Sequence, residues 1–79
     1  MTSKKAGKSK SILNVKFGER LAALRNAQKW SLTYMEQHSG LSESFLYEME
    51  HGIKEPCLNT LDILAKSFDM TMSKLLKGI

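Results

Sequence analysis

The chain has 79 residues, one cysteine and a formal net charge of +4, which suffices for one small domain and excludes a disulfide framework within the chain. No apolar run approaches the ~20 residues that a membrane-spanning helix needs, and the run at Ile12-Leu13 is too short for a signal peptide. A lone thiol fits a reducing cytoplasm, so a cytoplasmic protein with no membrane partner is expected.

The charge is placed unevenly. Residues 1–16 carry five lysines (Lys4, Lys5, Lys8, Lys10 and Lys16) and no acid, which leaves seven basic residues against eight acids over 17–79. A basic segment on a neutral body points to a polyanion, nucleic acid above all. Residues 1–13, MTSKKAGKSKSIL, are rich in Lys, Ser and Gly and read as a basic flexible arm. The remainder, 14–79, reads as one domain.

In chain order, Asn14 is the expected N-cap of helix 1. Phe17, Leu21 and Leu24 follow at the spacing of one helical face, to about Gln28. Ser31 caps a short helix 2 that Met35 anchors inward, and Gly40 ends it, since the residue just past a helix often needs positive φ. Ser42 caps helix 3 and Gly52 closes it. After the only proline, Pro56, the inward stripe of helix 4 is Leu58, Leu61, Leu64, Ala65 and Phe68, with the poor capping residue Cys57 ahead of it. Helix 5 is expected over Met70 to Leu76, with Thr71 or Ser73 near its start. No window alternates with period two, so no sheet is expected. The fold class is all-α, a compact five-helix bundle.

At 100° per residue, helix 3 divides cleanly. Phe45, Leu46, Met49 and, at the margin, Glu50 share one face. Glu43, Ser44, Tyr47, Glu48 and His51 share the other.

Residues 17–78 resemble the phage repressor/Cro (Xre-type) helix-turn-helix family. The resemblance rests on LxxLR at 21–25, SGLS at 39–42, SFLYEMEHG at 44–52, Pro56, TLDILAKSF at 60–68 and SKLLKG at 73–78. It implies a lambda-repressor-like DNA-binding domain in which helix 2 crosses the backbone of double-stranded DNA and helix 3 enters the major groove. It also implies a homodimer on a palindromic operator and repression or autoregulation of transcription, in a bacterial or phage-encoded, nucleoid-associated protein. Carried onto this chain, the base-reading set is Ser42, Glu43, Ser44, Tyr47 and Glu48. The phosphate contacts are Lys4, Lys5, Lys8, Lys10, Thr33, His51 and Lys54. Arg25 and Glu50 stand where the family has a structural ion pair. Met70, Met72, Leu75, Leu76 and Ile79 would supply a dimer interface from helix 5.

The acids on helix 3 repel phosphate, yet a carboxylate can accept from cytosine N4 on the groove floor. The phosphate grip would then come from Lys54, from N–H groups at the starts of helices 2 and 3, and from the arm. Four positions depart from the family pattern. Leu32 replaces a glutamine that touches phosphate. Glu36 replaces an alanine at the helix 2–helix 3 contact and must turn outward or find a partner. Thr33 and Tyr34 replace acids, so Ser31 lacks a capping-box partner.

A second function class fits the acidic face: a protein-interaction helix-turn-helix, such as an antitoxin-like or anti-regulator subunit. No catalytic constellation or phosphate loop is present, so no enzyme and no small-molecule substrate are expected. His38, His51 and Cys57 lack metal-ligand spacing, so no metal or cofactor is expected. Trp30 reads as a packing residue between helices 1 and 2.

Overall fold

A computed structural model describes residues 11–79; the arm lysines Lys4, Lys5, Lys8 and Lys10 lie outside the described residues. The described residues form five helices and no strand: α1 (Ile12–Ala27), α2 (Leu32–Ser39), α3 (Glu43–Glu50), α4 (Leu58–Ser67) and α5 (Met72–Leu75).

Helix α1 starts earlier than expected. Its N-cap is Ser11, whose hydroxyl accepts from the Asn14 N–H at 2.9 Å. Asn14 is thus a first-turn residue, and Ile12 and Leu13, expected in the arm, belong to the helix. Serine and asparagine are near-equal caps, and the earlier one is used because the chain is already helical at Ile12. Ser31 and Ser42 cap α2 and α3, accepting from Tyr34 N–H at 3.0 Å and Phe45 N–H at 3.1 Å. Gly40 and Gly52 adopt φ of 85° and 72° at the ends of α2 and α3, a region that glycine enters without a Cβ penalty.

The core is Phe17, Leu21, Met35, Leu46, Met49, Leu64, Ala65, Phe68 and Leu75. Helix α1 packs most extensively on α3, α2 packs on α3 and α4, and α5 closes over α4. Gly18 makes the α1–α3 approach possible, because a Cβ built there would lie 2.5 Å from the Met49 carbonyl oxygen and 2.6 Å from that of Glu50.

Leu58 corrects the expected α4 stripe: it is 75% exposed. It shares the azimuth of Ala65 but stands seven residues before it, at the first residue of α4, beyond the end of the core. Helix α5 is also shorter than the expected Met70–Leu76. Thr71 rather than Ser73 is its cap, accepting from the Lys74 N–H at 3.1 Å. Arg20 of α1 clasps its other end, donating from Nε to the Leu75 carbonyl at 3.1 Å and from Nη2 to that of Lys74 at 2.7 Å. Carbonyls at a helix end lack intrahelical donors; the arginine supplies one to the Leu75 carbonyl from another element and joins the Lys77 N–H already on that of Lys74.

Candidate nucleic-acid interface

Helices α2 and α3 are joined by a tight turn. Gly40 reverses the chain, and the Ser39 hydroxyl accepts from the Leu41 N–H at 3.0 Å. Leu46 and Met49 of α3 face the core and Phe45 packs against it. Glu43, Ser44 and Tyr47 are exposed and Glu48 is half-buried. These four, with Leu32 of α2 and Ile53 of the following loop, line a shallow depression of about 430 Å³. Ser42 sits at the entrance as the cap of α3.

The orientation of α3 is fixed from behind. Arg25 Nε donates to Glu50 Oε2 at 2.6 Å and Nη2 to Oε1 at 3.0 Å, a bidentate pair. The side chains are 14% and 6% exposed. Arg25 Nη1 also donates to the Trp30 carbonyl at 2.7 Å, so one guanidinium ties α1, the turn before α2, and α3 together. The hydrogen bond that Arg25 donates to Glu50 holds the guanidinium above its ordinary pKa, against the opposing effect of burial. Bidentate charge-assisted bonds add geometric specificity as well as energy.

The departure at Glu36 also has an explanation. Its Oε1 accepts the Glu43 N–H at 3.0 Å, across the turn. A carboxylate there complements the positive end of the α3 dipole. Thr33, expected at a phosphate, instead donates its hydroxyl to Glu43 Oε1 at 3.3 Å. The expectation that the α3 N-terminus offers its N–H groups to phosphate is thereby reduced: those of Glu43 and Phe45 are taken within the protein, and Tyr34 N–H at the start of α2 is taken by Ser31.

Tyr47 is held by stacking on His51, with ring centroids 4.0 Å apart and planes at 24°. His51 Nδ1 donates to the Tyr47 carbonyl at 2.8 Å. Lys54 is exposed on the loop after α3. Its N–H and that of Ile53 both bond to the Glu48 carbonyl, at 3.3 Å and 2.8 Å, which anchors the loop.

The expected dimer set is only partly at the surface. Leu75 is fully buried and is a core residue, because α5 turns it onto α4; Met70 and Met72 pack half-buried against the same core. Leu76 and Ile79 do reach a second depression, shared with Leu13, Phe17, Pro56 and Leu61. Trp30 packs against the core and stacks on Phe68 at 5.5 Å. Cys57 is exposed, with its thiol 3.3 Å from the Thr60 hydroxyl. No group of three metal-ligating side chains occurs among the described residues, and none of their helices is long and apolar enough to cross a membrane.

Three contributors were not singled out in the sequence for what they do here: Glu36 as a cap, Gly18 as the close-approach residue, and Arg20 as the clasp of α5. Gly18 carried only a weak signal, an isolated glycine within a helical pattern, which costs about 1 kcal/mol against alanine. The partners of Glu36 and Arg20 leave no local signal.

The chain belongs to the Xre-type helix-turn-helix family: the family profile described as "Helix-turn-helix" matches residues 21–75. Among its relatives is the HTH-type transcriptional regulator AnsR of Bacillus subtilis (strain 168), 38% identical over 58 residues. That match covers 73% of this chain and 50% of AnsR, so the chain spans about half the length of that relative. Among solved structures, the restriction-modification controller protein C.AhdI from Aeromonas hydrophila superposes with a TM-score of 0.75 at 34% identity. The superposition covers 78% of this chain and 94% of the controller protein.

Proposed function

We propose that the protein is a sequence-specific DNA-binding transcriptional regulator that acts as a homodimer on a palindromic operator, repressing or autoregulating its target. The observation that carries this reading is the outward face of α3. Glu43, Ser44, Tyr47 and Glu48 project from one side of a helix whose other side is locked by the Arg25–Glu50 pair. A rigid helix with its polar face outward is what insertion into a major groove requires. The names of the similar proteins, a transcriptional regulator and a controller protein, support the same class.

The chemistry of the face defines what it reads. Glu43 and Glu48 accept hydrogen bonds and repel the acceptor edge of guanine, so they favour exocyclic amines such as cytosine N4. Ser44 bonds either way and Tyr47 offers its ring edge to a thymine methyl. Phosphate contacts come from Lys54, His51 and the arm lysines, with Thr33 available if it releases Glu43. Leu76 and Ile79, with Leu13 and Leu61, provide the apolar surface for a second copy.

The test is selection from a random duplex library at roughly 100 mM salt, where phosphate contacts still count. The expected result is a palindromic motif enriched in cytosine at the positions facing α3, whose half-site spacing reports the dimer geometry. Ser44→Ala with Glu48→Gln should change the preference, each lost base contact being worth about 1–3 kcal/mol. Binding without enrichment would assign all affinity to the lysines and sink the base-reading role.

One observation favours a second reading, a protein-interaction helix-turn-helix of the antitoxin-like or anti-regulator kind. The α2–α3 face carries Glu36, Glu43 and Glu48 with no ion pair to any described cation. Absence of DNA binding in the selection would favour it.

A further inference from the structure

Glu36 serves two helices at once. Its carbonyl accepts the Gly40 N–H at 2.8 Å, which ends α2, and its carboxylate accepts the Glu43 N–H at 3.0 Å, which starts α3. Thr33 stands one turn before Glu36 on the same side of α2 and donates its hydroxyl to Glu43 Oε1 at 3.3 Å. Glu43, the first residue of α3, is therefore held from α2 at two points, one on its backbone and one on its carboxylate. The hydroxyl engages Oε1, and Oε2 has no hydrogen-bond partner among the described residues. Thr33 and Glu36 are both exposed and neither is a core residue; the buried residue of α2 is Met35.

The two contacts act on different quantities. A helix start carries about half a positive elementary charge and open N–H groups, which attract any phosphate. At α3 the carboxylate of Glu36 meets that charge from within the protein, while Ser42 takes the Phe45 N–H. The attraction lost is the same for every sequence, so Glu36 lowers the affinity for duplexes in general. The geometry gained is not the same for every sequence. A base is told from its alternatives only when donor and acceptor meet at hydrogen-bond distance, and an unrestrained glutamate carboxylate samples several rotamers. Holding Glu43 in advance removes the ordering cost that binding would otherwise meet.

We propose that Glu36 and Thr33 are specificity-determining positioning residues for Glu43. They place its carboxylate for one base before DNA arrives, and the charge of Glu36 keeps phosphate from the start of the reading helix. Neither residue touches a base. The hydroxyl of Thr33 acts on a carboxylate of the protein and not on a phosphate of the duplex. The inference rests on the DNA-reading assignment and deepens it, by naming Glu43 as the reading carboxylate that is set in advance.

The experiment compares the wild-type full chain with Glu36→Gln, Glu36→Ala, Thr33→Val and Thr33→Ser. Each is titrated against the duplex enriched by selection, against that duplex changed at single base pairs, and against random duplex. Glu36→Gln keeps an acceptor for the Glu43 N–H and removes the charge. It should tighten binding to every duplex by roughly two- to fivefold at low salt, the size of a surface charge–dipole interaction, and leave base discrimination as in the wild type. Glu36→Ala removes the acceptor as well, and Thr33→Val removes only the hydroxyl donor. Both should cut discrimination at one base pair by about fivefold, the lower end of what a base contact supplies, and Thr33→Ser should retain it. Unchanged discrimination in Glu36→Ala and Thr33→Val, with a motif enriched, would overturn the proposal. So would a Thr33→Val loss spread evenly over all duplexes, which is the mark of a phosphate contact. The DNA-free protein supplies an independent readout: the Glu43 amide proton should exchange more slowly in wild type and Glu36→Gln than in Glu36→Ala. Equal exchange in all three would overturn the hold on Glu43 itself. A slow amide together with a selection that enriches no motif would remove the base-reading assignment, and the specificity role with it, while leaving the cap in place.

Discussion

Glu50 is the side chain on which the orientation of α3 depends most directly. It lies nearly buried, and both its oxygens are used by Arg25. Removing one member of a buried pair leaves the other charge uncompensated, at a cost of about 3–5 kcal/mol. Glu50→Ala is therefore expected to lower unfolding stability by that amount, read as a drop in denaturant midpoint with an unchanged slope. A loss under 1 kcal/mol would mean that the pair is solvated in practice. Cys57 offers a second residue-scale test. Its thiol is drawn below its ordinary pKa, first by the Thr60 hydroxyl and then by the Thr60 N–H. The hydroxyl stabilises the thiolate, so Thr60→Val should raise the pH midpoint of Cys57 alkylation, and an unmoved midpoint would assign the shift to the backbone alone. Caps such as Ser31 and Ser42 were legible in the sequence because their partners lie three residues away. Glu36 was legible only as an anomaly, because the N–H it accepts belongs to a different helix across a glycine turn.

At the scale of elements, α3 has eight residues and α2 another eight, too few to persist as isolated helices in water. They exist because α1 lies against α3, and Gly18 sets how near it comes. Gly18→Ala would improve the intrinsic propensity of α1, yet its new methyl would meet two backbone carbonyls that cannot rotate away. The net outcome should be destabilisation by about 1–3 kcal/mol, with weaker DNA binding because α3 is displaced. A stabilised variant would show that the two helices can separate freely. The same scale explains what periodicity did and did not convey. A wheel gives azimuth, and it separated the two faces of α3 correctly. It does not give height along the axis, and so it does not distinguish Leu58, which stands beyond the core's end, from the buried residues at the same azimuth. Nor does it tell which apolar side of a terminal helix meets its own domain, and so it does not reveal that Leu75 is buried within the domain, its carbonyl held by Arg20.

For the whole molecule, a domain of this size buries only about 60% of its unfolded surface and gains from a second copy. The depression bearing Leu13, Leu61, Leu76 and Ile79 is the apolar surface through which we expect that copy to dock. Leu13→Asp with Ile79→Asp alters two exposed side chains and should convert a dimer into a monomer in sedimentation equilibrium while the helical spectrum is retained; a wild-type chain of monomeric mass throughout would remove the homodimer. The global fold was legible because each short helix carries its own punctuation, whereas the acidic face became interpretable only once the positions of its neighbours were known. One further property follows from Trp30, the only tryptophan in the chain. Its indole lies parallel to the ring of Phe68 at the end of α4 and 4.9 Å from the imidazole of His38 at the end of α2. The protein thereby contains its own optical gauge. The colour and brightness of that single fluorophore register whether the two helices remain joined, with no dye attached.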